Sequence, residues 1–178
     1  MHTIYAEVKT KDGTKLDFHM LSEWRIDEIL KEMDEEDKVR FARELKRRHA
    51  RGEHVFYAEI PREGAAGETV GVASWRVHEW PRQDGAVESS GLVEVSFIHV
   101  KPEQRGKGFG RALLEQSIRM ASKHFKASGN RLRKIYALVP STEEDGIFSY
   151  KAWGFNLEAT LPKHFSDDED MLMMTKFY

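Results

Sequence analysis

The chain has 178 residues, 40% of them hydrophobic, a size and composition that suit one globular domain, residues 1–178, with a sizeable core. A formal net charge of −2 gives no overall basic field for nucleic acid, and the absence of cysteine excludes disulfides, thiol nucleophiles and cysteine–metal sites. The opening MHTIYAEVKTKDGTKLDFHM is too charged for a signal peptide, and no apolar run approaches the roughly 20 residues of a membrane span, so cytoplasmic residence without a membrane partner is the expectation.

Taken in order, Thr3 to Lys9 and Lys15 to Met20 read as strands around Lys11-Asp12-Gly13-Thr14, where Asp-Gly is a hairpin signal. A helix is predicted from Ser22, with Trp24, Ile26, Ile29, Leu30 and Met33 at helical spacing. The acidic run Asp34 to Asp37 marks a break, and a second helix follows with Val39, Phe41, Ala42 and Leu45 inward, ended by Gly52. Its cations Arg40, Arg43, Lys46, Arg47, Arg48 and Arg51 read as a solvated face suited to a helix C-terminus. His54 to Ile60 and Val70 to His78 are predicted strands separated by a loop from Arg62 to Glu68, and Trp80 to Gly91 reads as a polar connection.

The stretch from Leu92 to Gly129 carries the chemistry. LVEVSFIHV is an apolar strand, KPEQRGKGFG a loop with glycines at 106, 108 and 110, and the following residues place Leu114, Ile118, Ala121 and Phe125 at helical spacing. A strand leading through a glycine-rich turn into a helix points unpaired N–H groups and the positive end of a helix dipole at one spot, which suits a phosphate or pyrophosphate. Gly110 is followed by Arg111-Ala112 rather than the Lys-Ser/Thr of a triphosphate loop. No acidic residue stands about twenty positions on for a ribose, where Lys126, Ser128 and Arg131 are found. Nucleoside triphosphate hydrolysis and a nicotinamide cofactor are both disfavoured.

Beyond it, Lys134 to Val139 is a predicted strand ended by Pro140, and Ser141 or Thr142 is placed to cap a helix running through Phe148, Tyr150 and Trp153 to Gly154. Phe155 to Leu161 and Met171 to Phe177 read as strands around the acidic turn Ser166 to Asp170.

Arg105-x-x-Gly108-x-Gly110 after a strand ending at Val100 resembles the pyrophosphate motif of the general-control-related N-acetyltransferase (GNAT) superfamily, and the element order resembles its topology over nearly the whole chain. The resemblance implies an α+β fold, with a mixed, mostly antiparallel sheet of about six or seven strands, about four helices and a V-shaped cofactor cleft. It implies acetyl-coenzyme A as co-substrate, held by Ile98, His99 and Val100 along the pantetheine and by Arg105, Gly106, Lys107, Gly108, Phe109, Gly110 and Arg111 at the pyrophosphate. Tyr150-x-x-x-Gly154-Phe155 resembles the family segment whose tyrosine lies near the sulfur and often acts as general acid. One departure is visible: Glu143 stands where the family often has asparagine.

Acetyl transfer from a thioester needs a neutral amine, and a lysine-like amine arrives protonated at neutral pH. Glu94, an acid within an apolar strand, is the first candidate base, because desolvation is expected to raise its pKa; its spacing from Arg105 also resembles that of the base in histone-acetylating members. His99 is the alternative. Glu143 to Asp145 and Asp167 to Asp170 are placed to attract a cationic acceptor: a protein lysine or N-terminus, a polyamine or another small amine. Scattered histidines predict no catalytic metal, and the chain is expected to be a monomer or homodimer. The competing reading is a non-catalytic acyl-coenzyme A sensor or partner module.

Overall fold

The computed structural model describes residues 6–10, 12–21, 45–48, 50–81 and 87–178. The predicted helix from Ser22 to Met33, the acidic break Asp34 to Asp37, and Val39, Phe41 and Ala42 lie outside the described residues, as do residues 1–5, Lys11 and 82–86. The strands are β1 (Ala6–Lys9), β2 (Lys15–Met20), β3 (His54–Arg62), β4 (Ala65–Pro81), β5 (Val87–Val100), β6 (Lys134–Pro140), β7 (Asn156–Ser166) and β8 (Glu169–Phe177), with helix α1 (Phe109–Ala127) and helix α2 (Glu144–Ala152). They form a mixed sheet of eight in the order β1-β2-β3-β4-β5-β6-β8-β7, slightly more strands than the six or seven expected.

By contact density the chain divides into two compact units, one comprising 1–75 and 97–117, the other 76–96 and 118–178, so that β4, β5 and α1 each run through both. In the first unit the β1–β2 turn follows the Asp-Gly signal: Gly13 takes φ +86°, and the Asp12 carboxylate accepts from the Thr14 amide at 3.2 Å. The β3–β4 connection is shorter than predicted. Arg62 pairs with Ala65, and Gly64, at φ +71°, reverses the chain where a seven-residue loop was expected.

Leu21, Leu45, Val55, Tyr57 and Val72 are buried together, with Phe97 packed against them. Residues 45–48 and 50 are helical, but Arg48 does not belong to a solvated face. Its Nη1 donates to Glu53 at 3.0 Å, and Ser74 Oγ donates to the same carboxylate oxygen at 3.1 Å. Glu53 is buried, and a buried polar group costs free energy unless it is hydrogen-bonded in this way. Arg48 also lies 5.3 Å from the centre of the Phe97 ring.

In the second unit β5 and β6 pair in parallel over Leu92–Glu94 and Lys134–Tyr136 only. Parallel neighbours need a crossover, and α1 supplies it. β6, β8 and β7 continue as an antiparallel ladder. Both strands around the predicted Trp80–Gly91 connection run further than expected, β4 to Pro81 and β5 from Val87. Gly91, inside β5 at φ +67°, accepts from the Arg133 amide at 2.8 Å. The acidic turn also contracts, since Ser166 already pairs with Glu169.

Gly71 of β4 sits in close contact with the backbone and side chains around it. A Cβ there would sit 2.4 Å from the His99 carbonyl oxygen and 2.9 Å from Leu113 Cδ1, and a carbonyl cannot swing aside as a side-chain tip can. Gly71→Ala is therefore expected to destabilise the protein by about 1–3 kcal/mol, read as a lower urea midpoint at an unchanged slope. A midpoint within error of the parent would contradict the packing described.

Candidate functional site

The first unit holds the glycine loop. After β5 a 3₁₀ turn, Pro102–Gln104, leads to Gly106 at φ +75° and Gly108 at φ +83°. A Cβ at either would meet nothing within 4 Å, so what demands glycine is the sign of φ rather than a lack of space. Gly110 is not part of the loop as expected; it is the second residue of α1. The Ala112 amide donates to the Gly108 carbonyl at 3.1 Å, so the Phe109, Gly110 and Arg111 amides precede the first helical bond and have no acceptor within the helix. The first turn of α1 contains no acidic residue to compete for that positive end.

The loop is braced from beneath. Gln104 is buried; its amide donates to Glu68 Oε1, and its carbonyl oxygen accepts from Lys107 Nζ at 2.9 Å. Glu68 Oε2 in turn accepts from Arg62 Nη2 at 2.6 Å. Arg105 Nε donates to the Val100 carbonyl at 3.2 Å, tying the loop to the end of β5, while Arg111 pairs with Glu115 at 2.8 Å one helical turn on. Arg105, Lys107 and Arg111 are all exposed, whereas the Phe109 side chain is buried, so Phe109 can contribute only its amide. Ile98, His99 and Val100 are half-buried, and the His99 ring lies parallel to Phe97 at 6.2 Å. Open N–H groups, three flanking cations and no acid in the first turn fit a pyrophosphate.

The second unit surrounds Glu94. Its Oε2 accepts from Arg76 Nε at 2.9 Å, from Arg76 Nη2 at 2.6 Å and from the Tyr136 hydroxyl at 2.8 Å, and His78 Nε2 lies 3.3 Å away. Burial alone pushes this carboxyl up, but the Tyr136, Arg76 and His78 hydrogen bonds together with the Arg76 charge outweigh it, and the carboxyl lies below the ordinary glutamate value. This reverses the expectation that desolvation would raise it. The same environment pushes the Tyr136 phenol up, by burial first and then by its bond to the carboxylate, so that it stays a donor.

Arg76, His78 and Tyr136 were not singled out from the sequence. The signal was present in part: Arg76 and His78 stand two apart on a strand and share a face. Tyr136 could not be found that way, because only the register that places it opposite Glu94 brings it in.

Tyr150 lies on α2, with Trp153 and Phe155 meeting its ring edge-on at 5.4 Å and 5.1 Å. Burial pushes its phenol up, so it keeps its proton, and its hydroxyl has no hydrogen-bond partner among the described residues. The Gly154 conformation, φ +85°, lets the Phe155 amide return to the Tyr150 carbonyl at 3.0 Å, which gives the Tyr-x-x-x-Gly-Phe segment its shape as a helix end. The cap of α2 differs from expectation. Glu143 is the N-cap residue and makes no side-chain cap bond, and Thr142 Oγ1 donates to Glu169 rather than capping the helix. With the Ser141 amide bonded to the Asp170 carbonyl at 2.9 Å, the acidic start of α2 and the acidic β7–β8 turn lie side by side.

Among the described residues no three His, Asp or Glu side chains are grouped to hold a metal ion, and no helix is long and apolar enough to cross a membrane. The structure is similar to that of NAA60 from Arabidopsis thaliana in complex with acetyl-CoA, with a TM-score of 0.64 and 14% identity over 92% of this chain and 99% of that one. It is also similar to a ribosomal-protein-alanine N-acetyltransferase from Brucella melitensis, with a TM-score of 0.58 and 22% identity over 90% and 99% of the two chains. For the spermidine/spermine N-acetyltransferase SpeG from Vibrio cholerae, solved with manganese ions, the TM-score is 0.61 at 19% identity over 91% and 92%. No curated protein sequence gave a significant match. The sequence model of the Acetyltransferase (GNAT) family matches residues 18–155, across both the glycine loop and the Tyr150 segment, and the chain belongs to that family.

Proposed function

We propose that the chain is an N-acetyltransferase that moves the acetyl group of acetyl-coenzyme A directly to a primary amine. The observation that carries this reading is the loop at the head of α1, where positive-φ glycines, amides without helical acceptors and the cations of Arg105, Lys107 and Arg111 make a site for a diphosphate. The coenzyme would supply an activated acetyl thioester. Arg105 to Arg111 would hold its pyrophosphate, and the backbone of Ile98, His99 and Val100 its pantetheine arm. Tyr150 would donate a proton to the departing thiolate, since burial keeps its phenol protonated and so able to donate.

The amine must lose a proton before it attacks. Glu94 is the centre of the acid–base chemistry in this reading, and His99 is the second candidate. The joined acidic segments, Glu143 to Asp145 and Asp167 to Asp170, favour a cationic acceptor such as a polyamine, a lysine side chain or a peptide N-terminus. Two similar folds, SpeG and the ribosomal-protein-alanine enzyme, are named for acceptors of these kinds.

The test is thiol release from acetyl-coenzyme A in the presence of spermidine, a lysine peptide or a peptide with a free N-terminus. At least one should be acetylated, and Tyr150→Phe should lower kcat by about a hundredfold or more while the affinity for acetyl-coenzyme A stays unchanged. Binding without turnover on every amine would instead identify a sensor.

The lowered Glu94 pKa has a consequence for stability. A carboxyl whose folded pKa lies below its unfolded one stabilises the fold at pH above the unfolded value and loses that contribution as pH falls through the folded value. Urea unfolding from neutral pH into the acid range should show this loss in the parent protein. Glu94→Gln should be less stable at neutral pH, with a flatter acid limb; equal acid slopes in the two proteins would count against the network.

A further inference from the structure

The hydrogens around Glu94 can be counted. The carboxylate only accepts. The Tyr136 phenol has one hydrogen, and its oxygen lies 2.8 Å from Glu94 Oε2 and 2.7 Å from His78 Nε2. If that hydrogen pointed at His78, a phenol oxygen and a carboxylate oxygen would face each other at 2.8 Å with no hydrogen between them, a repulsive contact. It therefore points at Glu94, where the bond is assisted by charge. The 2.7 Å contact to His78 must then carry a hydrogen on Nε2, directed at the phenol oxygen with the carboxylate 3.3 Å beyond.

A neutral imidazole with its hydrogen on Nε2 has a lone pair on Nδ1. Among the described residues Nδ1 has no hydrogen-bond partner, and the side chain is 29% exposed. The strand is fixed at this point by Ser90 Oγ, which donates to the His78 carbonyl at 2.6 Å. Among the described residues the charged and titratable groups around the ring are Arg76 from β4, Glu94 from β5 and Tyr136 from β6. All belong to the second unit.

We infer that His78 Nδ1 is the group that takes the proton from the acceptor amine, with Glu94, Tyr136 and Arg76 acting as positioning residues. The inference rests on the N-acetyltransferase reading and moves the base from Glu94 to its neighbour. In the step an ammonium N–H bond breaks and an Nδ1–H bond forms; the freed nitrogen lone pair then forms a C–N bond to the acetyl carbon while the C–S bond breaks, the thiolate takes the Tyr150 proton, and the second proton lost by the nitrogen passes to water. The positive ring that results donates its Nε2 hydrogen toward Tyr136 and Glu94, whose negative charge stays in place because Arg76 holds it there. The ring is partly exposed, so the proton can pass on to water. This gives Glu94 a task compatible with its low basicity, which proton capture is not.

The decisive variant is His78→Gln. A glutamine amide can still donate toward Tyr136 and Glu94 but cannot titrate. It is expected to bind acetyl-coenzyme A with unchanged affinity by calorimetry, to lower kcat/KM for the amine by about a hundredfold, and to lose the acid limb of the pH–rate profile. His78→Gly supplemented with free imidazole should recover part of the rate. A His78→Gln enzyme within twofold of the parent, with its acid limb intact, would overturn the inference while leaving the transferase reading standing. Parent protein that transfers acetyl to no amine would instead sink that reading. A second measurement needs no variant: nitrogen-15 shifts of the His78 ring in the parent should show the hydrogen on Nε2, and a ring protonated on Nδ1 alone would overturn the assignment.

Discussion

A carboxylate taken out of water must be compensated or give up its charge, and the second unit is built around one such group. Glu94 keeps its charge because strands on both sides aim donors at the same oxygen, Arg76 from β4 and Tyr136 from β6, with His78 of β4 beside them. The Tyr136 bond depends on the register of the parallel β5–β6 pair, and that pairing lasts for only three residues on each strand. Fold and chemistry therefore meet at one place: the register that satisfies the carboxylate also fixes which imidazole nitrogen is open. Replacing one partner alone would leave the others facing an uncompensated group, so the four side chains behave as one unit.

The first unit solves a different problem, that of leaving backbone donors open without losing the fold. Gly106 and Gly108 turn the chain through conformations that other residues adopt only under strain, and α1 begins with three amides that have no helical acceptor. The loop is held from below by a buried glutamine bridging Glu68 and Lys107, contacts that lie within the protein itself. A site that is already shaped loses less entropy on binding.

The sequence made the fold class and the order of its described elements visible because their signals are local. Asp12-Gly13 marks a hairpin, apolar spacing marks α1, and Gly154 marks the end of α2. The chain reversals were harder. Gly64 and the short β7–β8 turn lie in polar stretches that composition alone reads as loops, yet backbone pairing carries the strands through them. The glycine loop was legible since its residues are consecutive. The Glu94 cluster was legible only in its central residue, because Arg76, His78 and Tyr136 come from two other strands. The direction of the Glu94 pKa is not legible in the sequence for the same reason: burial can be read from the apolar neighbours of Glu94, whereas the opposing charge lies 18 residues away in sequence. Arg48 likewise reads as a surface cation until Glu53 and Phe97 are placed beside it.

The central claim is that the loop between β5 and α1 is a diphosphate cradle for the coenzyme, and the most direct test compares two donors of the same acetyl thioester. Calorimetric titration with acetyl-coenzyme A and with S-acetylpantetheine, which lacks the pyrophosphate and the nucleotide, isolates what the loop contributes. Acetyl-coenzyme A should bind at least tenfold more tightly, a difference of about 1.4 kcal/mol or more, and Gly108→Val should erase most of that difference. Equal affinities for the two thioesters, or no binding of either, would contradict the account.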